Sequence, residues 1–373
     1  MYKLMTPGPT QVSDEVLAAR ALRFKNPDID ESFVEEYKEL CEEISELLGT
    51  KNETLILGGE GILGLEAACA SLIERDDKVL VIDNGIFGRG FADFVTMYGG
   101  VPTLYTADYR ETIDVEKLEE YLVQNHDFKI ATIVHGDTPS GMLNDVDSIT
   151  KALKKYDILT IVDAVSSMFG ERLSVDNIDI LCGGSQKVIS APPGLTINVI
   201  SDKAKETIKN RKTPIASFYA NLKVFFNYYE EKWFPYTMPI SDINGLKVAI
   251  DRIKNDPDIY ARHKRIGEAA RKAIASVGLK LYLNSGFNNT VTVFEVPEGT
   301  TAADIINTVK NDHDILITGS FDCLAGKVIR IGHMGESAND KDMSETMAAL
   351  DKTFAKLGVK LNGSLEESFR ANL

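Results

Sequence analysis

Two ionisable residues stand in apolar surroundings, each just after a run that reads as a buried strand. Asp163 interrupts Ile161-Val162-Asp163-Ala164-Val165, and Lys187 follows Cys182-Gly-Gly-Ser-Gln186 with Ala191-Pro-Pro-Gly194 just beyond. A carboxylate taken out of water needs a cation or hydrogen-bond donors. Asp163 is therefore either the partner of a cationic ring nitrogen or a cap for the turn begun by Ser166-Ser167. Most lysines are solvated surface charges, but an ammonium among small and apolar residues has a lowered pKa, the condition for an amine that forms a Schiff base. A third feature is Gly59-Glu60-Gly61-Ile62-Leu63-Gly64, a literal GxGxxG between a strand and the helix Leu65–Ile73, with Asp83 ending the next strand. This is the pattern of a dinucleotide site on a nicotinamide dehydrogenase. What it certifies physically is narrower: a backbone that can approach a phosphate at a helix N-terminus, whichever cofactor carries it.

These residues need elements to hold them. Apolar runs at 54–57, 78–82, 129–134, 158–162, 178–181 and 195–200 lack strict alternation, as strands buried on both faces do, and helical patterns separate them. The expected fold is α/β, a mostly parallel central sheet flanked by helices, with ligands beyond the carboxyl ends of its strands. A helix is expected from Ser32 to Leu48, stopped by Gly49. Beyond residue 250 the texture changes. An amphipathic helix at 260–274, strands at 279–283, 290–294 and 328–331, and helices near 301–310 and 340–357 suggest a smaller α+β domain. The expected division is an N-terminal segment 1–15, a large domain 16–250 and a small C-terminal domain 251–373, against which the N-terminal segment could pack.

The chain has 373 residues, 44% of them hydrophobic, and carries 41 Lys plus Arg against 56 Asp plus Glu, a formal charge of −15. That balance argues against nucleic acid or an anionic membrane as a partner. Four dispersed cysteines and five histidines offer no metal-ligand spacing. Neither a leader-like apolar region nor a span of some 18 apolar residues occurs, so a cytoplasmic protein with reduced thiols is expected.

A phosphate cradle, a buried acid and a desolvated lysine at successive strand ends suit pyridoxal 5′-phosphate better than a nicotinamide. The chain resembles the class V aminotransferases of PLP fold type I, the alanine–glyoxylate/serine–pyruvate group. The likeness runs through Thr6-Pro-Gly-Pro-Thr10, Asn84-Gly-Ile-Phe-Gly88, His135-Gly-Asp-Thr-Pro-Ser-Gly141, Val162-Asp-Ala-Val-Ser-Ser167, Ser185-Gln-Lys187 and Arg330-Ile-Gly332. The resemblance implies that Lys187 carries the cofactor as a Schiff base and that Asp163 pairs with the pyridinium nitrogen. It implies Phe87 and Val165 on the two ring faces, and Thr138 on the ring hydroxyl. The N–H groups of Gly61 and Ile62, with the Gln186 amide, would hold the phosphate. Thr237 would reach the phosphate of a neighbouring subunit in a homodimer, and Arg330 would take the substrate carboxylate. His135 and His333 are read as structural.

The implied activity is amino transfer from a small amine or amino acid to pyruvate or glyoxylate. Glu60 stands where most relatives have a small residue, and the pyridoxamine–pyruvate aminotransferases, which use free pyridoxamine, also have Glu there. It either points away from the phosphate or recognises the donor. Against that subgroup, Ser185-Gln186 keeps the phosphate-binding type, and Phe321 replaces its second arginine. Gly141-Met-Leu-Asn-Asp145 resembles 2-aminoethylphosphonate–pyruvate aminotransferase. A PLP lyase of the desulfurase kind would need Cys323 as its nucleophile.

Overall fold

The computed structural model describes residues 2–22 and 25–373. Its centre is a seven-stranded sheet of β1 (Glu53–Gly58), β2 (Lys78–Asp83), β3 (Val101–Thr106), β4 (Ile130–Val134), β5 (Leu159–Asp163), β6 (Ile180–Gly184) and β7 (Leu195–Ile200). The strand order is β1-β7-β6-β5-β4-β2-β3. Every pair from β6 to β3 is parallel, whereas β7 runs antiparallel to both β6 and β1. One reversed strand between β1 and β6 leaves those two pointing the same way. The carboxyl ends of β1, β2, β4, β5 and β6 therefore share one edge, and register places Val134 opposite Asp163 and Asp163 opposite Cys182.

The uninterrupted apolar runs explain the strands that sequence could locate. β4, β5, β6 and β7 are buried along their whole length, as expected when helices cover both faces. β3 was not among the runs expected, for the converse reason. It is the edge strand, carries Pro102 and exposes Val101, Leu104 and Thr106.

The sheet's other edge, β1, is closed by α1 (Glu31–Leu47). Tyr37 of this helix, fully buried, donates from its hydroxyl to the Ile56 carbonyl at 2.8 Å and accepts from the Ile56 N–H at 2.7 Å. One phenol thus satisfies both backbone groups of Ile56 at the middle of an edge strand, which would otherwise invite pairing with another chain. Helix α2 (Gly61–Leu72) is apolar nearly all round and lies on β6 and β7. A Cβ on Gly64 would stand 2.1 Å from Thr196 Oγ1, so the last glycine of the GxGxxG run serves close helix-to-sheet packing. Helix α3 (Ile86–Met97) follows β2.

A second apolar core gathers Ile266, Phe294, Ile329, Met347, Phe354 and Phe369. It is enclosed by α5 (Ile259–Ser276), α6 (Asp340–Lys356) and the antiparallel pair β8 (Val291–Glu295) and β9 (Val328–Gly332). Met5 belongs to this core, and Lys3–Leu4 pairs in parallel with Ile315–Leu316. A long helix, α4 (Ile240–Lys254), packs on the first core and was not anticipated, because Gly245 and the polar Ser241-Asp242 blur its apolar stripe. The strand expected at 279–283 is absent. Leu281 meets Phe294 in an isolated bridge, and the chain turns away at Asn284-Ser-Gly286. Among the described residues no helix is long and apolar enough to cross a membrane, and no cluster of His, Cys, Asp and Glu could hold a metal ion.

Replacing Tyr37 by Phe keeps the ring but strands two buried backbone groups. Urea unfolding should show a loss of about 1–3 kcal/mol, with no change in the activity per folded molecule.

Candidate active site

Asp163 closes β5 at the shared sheet edge and is 4% exposed. One of its oxygens accepts the Val165 N–H at 2.8 Å, and the other has no donor among the described residues. Burial, with the Asp137 and Glu60 charges adding to it, lifts its pKa from 3.8 to about 7. Lys187 lies after β6 with its side chain turned to the same hollow, and its Nζ donates to the Pro7 carbonyl. Burial and the Arg330 charge lower its pKa to about 8, against the attraction of Asp163 and Glu60. Both residues line one cavity of about 280 Å³ together with Phe87, Val165, Thr138 and Gln186. A roomier cleft of about 580 Å³ opens beside α4, but it is lined by ion-paired groups such as Arg252 and Glu336 and contains neither Asp163 nor Lys187.

The cavity suits a substituted pyridine ring. Its floor is shaped by missing side chains: a Cβ on Gly61 would meet Val165 at 2.8 Å, and one on Gly184 would meet Gln186 Oε1 at 2.8 Å. The free Asp163 oxygen is an acceptor in a residue lining the cavity, and Gln186 Oε1 is a buried acceptor without a partner among the described residues. Thr138 lines the cavity, and its hydroxyl has no partner among the described residues. Phe87 enters on the first turn of α3, where its N–H donates to Asp137 Oδ1 at 3.1 Å.

The end of the cavity expected to take a phosphate is more crowded. Glu60 is the N-cap of α2: one oxygen accepts the Ile62 N–H at 3.1 Å, and the other accepts the Gln186 amide at 2.8 Å. The carboxylate does not point away. It already occupies two of the donors expected to serve a phosphate.

Arg330 on β9 is 8% exposed and forms no ion pair among the described residues. Its Nε donates to the Gly319 carbonyl at 2.6 Å and its Nη1 to the Thr138 carbonyl at 3.3 Å, leaving Nη2 unengaged. Burial pulls its pKa down to about 10. The guanidinium stands 5.7 Å from the Phe321 ring, which in turn meets Phe87 edge-on at 5.9 Å.

Thr237 is not brought to this cavity within one chain; it is exposed and donates to Asp28 at 2.8 Å. Asp83 is wholly buried and held by Tyr109 at 2.5 Å and by Thr106 and Arg89 at 3.0 Å, so no oxygen is left for a ribose. His135 and His333 are buried with pKa values lowered to about 4 and about 3, and are neutral. Cys323 is an exposed thiol on a 3-10 turn. Sequence reasoning passed over Asp137, a buried acid that accepts from Phe87 N–H and from Ser140 at 2.6 Å. The signal was there, a second acid just after the end of β4. It also passed over Pro7 and Gly8, whose contacts with Lys187 join residues about 180 apart in the chain.

Residues 4–334 match the family model described as Aminotransferase class-V. The chain is similar to an uncharacterized aminotransferase of Methanocaldococcus jannaschii, with 35% identity over 97% of this chain and 94% of that protein. It is 31% identical to the pyridoxamine–pyruvate transaminase of Mesorhizobium japonicum over 96% of this chain and 92% of the relative. Among solved structures, ureidoglycine–glyoxylate aminotransferase from Bacillus subtilis superposes with a TM-score of 0.95 at 27% identity, covering 100% of this chain and 98% of the other. With an acid and an amine facing one ring-sized hollow and a family match that spans most of the sequence, the chain belongs to the class-V aminotransferases and is a pyridoxal 5′-phosphate-dependent transferase of amino groups.

Proposed function

We propose that the enzyme moves an amino group from a small amine or amino acid to pyruvate or glyoxylate, with Lys187 and Asp163 as catalytic residues. The observation that carries this is the pairing of a buried acid, one of whose oxygens has no donor among the described residues, with a desolvated amine across one cavity. When bound, the cofactor supplies an aldehyde for that amine and a cationic ring that draws electrons from the substrate's α-carbon. Asp163 accepts the ring N–H and keeps that nitrogen protonated. Val165 and Phe87 hold the ring between them, and Thr138 donates to its hydroxyl. Arg330 binds the substrate carboxylate through its free Nη2 and the spare hydrogen of Nη1, which a lysine could not imitate. Lys187, once released by the incoming amine, moves the proton at the α-carbon. The acceptors follow the relatives, one of which is named for pyruvate and another for glyoxylate.

The cofactor phosphate is read as sitting at the N-terminus of α2, on the N–H groups of Gly61 and Ile62 and the Gln186 amide. A second reading is favoured by Glu60, whose carboxylate already takes the Ile62 and Gln186 donors and so leaves them for no second anion. On that reading the amino donor is an unphosphorylated pyridoxamine, recognised through its hydroxymethyl group. Thr237 is read as reaching the partner's site in a homodimer. In support, Phe218, Tyr219 and Trp233 on the preceding segment are each more than half exposed, at 58%, 55% and 53%. The two apolar cores support a large domain 16–250 and a small domain 251–373 that takes in the N-terminal segment. Free cysteines fit a cytoplasmic location.

Borohydride treatment of the yellow holoenzyme should fix the cofactor on the peptide containing Lys187; label on any other lysine overturns the assignment. Only the neutral amine attacks an aldehyde. The rate at which apo-protein captures pyridoxal phosphate should therefore climb about tenfold per pH unit below the Lys187 value of about 8 and level off above it.

Asp163 gives a separate signature in stability. Its folded value of about 7 exceeds the unfolded 3.8, so its contribution is fully present below pH 3.8 and is lost as pH rises through 7. Thermal melts of the apo-protein should show wild type losing stability relative to Asp163→Asn across that window, by roughly 4 kcal/mol in all. Coincident profiles would mean that the acid is compensated from elsewhere.

Glu60→Ser should tighten pyridoxal phosphate and abolish any reaction with free pyridoxamine. Equal half-reaction rates with free pyridoxamine in both forms would remove the second reading.

A further inference from the structure

The segment Thr6–Thr10 crosses from the small core to Lys187 and is tied at both ends. Upstream, Met5 donates to the Leu316 carbonyl at 2.9 Å and accepts from the Gly332 N–H at 2.8 Å. A Cβ on Gly332 would stand 2.2 Å from the Thr6 carbonyl oxygen, so the segment lies directly on β9, the strand that carries Arg330. Downstream, the Thr10 N–H donates to the Gln186 carbonyl at 3.2 Å and its hydroxyl to the Lys187 carbonyl at 2.9 Å. The same hydroxyl shares a 3.2 Å hydrogen bond with Ser190, whose oxygen accepts the Glu336 N–H at 2.9 Å. Between these anchors the strap is stiffened by its own bonds, Gly8 N–H to the Thr6 carbonyl and Thr6 hydroxyl to the Pro9 carbonyl, both 2.8 Å.

At the centre of this strap Gly8 has φ +91°, in the left-handed region, and faces the lysine side chain. A Cβ there would lie 2.4 Å from Lys187 Cδ and 2.7 Å from both Cε and Nζ. The preceding carbonyl, that of Pro7, receives the Lys187 N–H. A backbone carbonyl on a segment fixed at both ends is a stationary acceptor. An amine hydrogen-bonded to it has a fixed position and a fixed lone-pair direction, whereas a free lysine head samples many rotamers.

We infer that the Pro7 carbonyl is the docking point of the Lys187 amine whenever that amine is not bound to cofactor, and that Gly8 and Thr10 are positioning residues for it. Gly8 leaves the space the aliphatic chain needs, and Thr10 fixes the backbone from which that chain springs. Docking keeps the released base within reach of the substrate's α-carbon instead of letting it swing toward Glu60 or Asp163, the two anions that also face it. The inference rests on Lys187 being the cofactor-bearing lysine.

The test compares Gly8→Ala, Thr10→Val and Thr10→Ser with wild type. In apo-protein, the pH dependence of Lys187 acetylation by acetic anhydride is read by peptide mass spectrometry; in holoenzyme, kcat and KM for the 2-oxo acid are measured. Loss of the carbonyl acceptor should move the Lys187 midpoint down by about half a pH unit or more in Gly8→Ala. In the same variant kcat should fall by about ten- to a hundredfold with KM within about threefold of wild type. Thr10→Val should shift both quantities the same way by less, and Thr10→Ser should restore them. Wild-type midpoints and kcat in both Gly8→Ala and Thr10→Val overturn the inference. If Gly8→Ala does not fold by circular dichroism, the Thr10 pair decides alone, an unshifted Thr10→Val counting against. Borohydride fixation in wild type on a lysine other than Lys187 would sink the underlying assignment instead, independently of the acetylation result.

Discussion

A carboxylate in the wrong place organises this molecule. Asp163 sits at the end of a strand buried on both faces, with one oxygen satisfied by a backbone N–H and the other by nothing the described residues supply. Its displacement from 3.8 to about 7 corresponds to roughly 4 kcal/mol against ionisation at high pH. A fold that only needed stability would fill this position with an apolar residue, since removing a buried ionised group is often neutral or favourable. Retaining the acid makes sense where a cationic ring nitrogen arrives to share its charge. The same hollow depresses Lys187, so one desolvated space holds an acid that resists losing its proton and an amine that gives its proton up readily. Environment pushes the two values toward each other and leaves both titrating near neutrality.

The sheet topology is what lets one cavity collect so many chain segments. Two antiparallel steps, from β6 to β7 and from β7 to β1, restore the strand direction. Thus β1 and β6 end on the same side and deliver Glu60 and Lys187 to one cavity, while β4 and β5 deliver Thr138 and Asp163 to it. The small core contributes from the opposite direction through β9. Arg330 and Gly332, on which the strap rests, share that strand, so the cation proposed for the substrate carboxylate and the segment proposed to dock the lysine are carried by one element.

Much of this was legible because burial leaves a mark on composition. Strands covered on both faces must be apolar throughout, which is why β4 to β7 could be located, and an Asp or Lys breaking such a run stands out. The edge strand β3 has one exposed side and a proline, so it leaves no such mark. The strand foreseen at 279–283 has the right residues but no partner beyond Phe294, and pairing is a property of the partner. Contacts made across the chain are still harder to see. Nothing about Pro7 announces that its carbonyl will meet a lysine 180 residues away, and Asp137 reads as one more polar residue in a turn until Phe87 is found hanging from it. The glycines of GxGxxG were legible as a requirement for close approach but not as to what approaches; for Gly64 it is Thr196 of the sheet.

Glu60 shows how one substitution can change the meaning of an otherwise familiar cradle. A helix N-terminus offers a small number of N–H groups and a positive dipole end, and it favours whichever anion reaches it first. Here the first anion is covalently attached and two bonds into the cradle. A phosphate dianion arriving on the same donors must displace an N-cap worth about 0.5–2 kcal/mol and must also tolerate a carboxylate nearby, at about 1–4 kcal/mol for charges 4 Å apart. A neutral hydroxymethyl group meets neither obstacle and can donate to the carboxylate. The balance between a phosphorylated cofactor held despite Glu60 and an unphosphorylated substrate held because of it therefore turns on a few kcal/mol at one side chain, with Asp163, Lys187, Val165 and Phe87, the residues proposed to hold the ring, suited to either outcome.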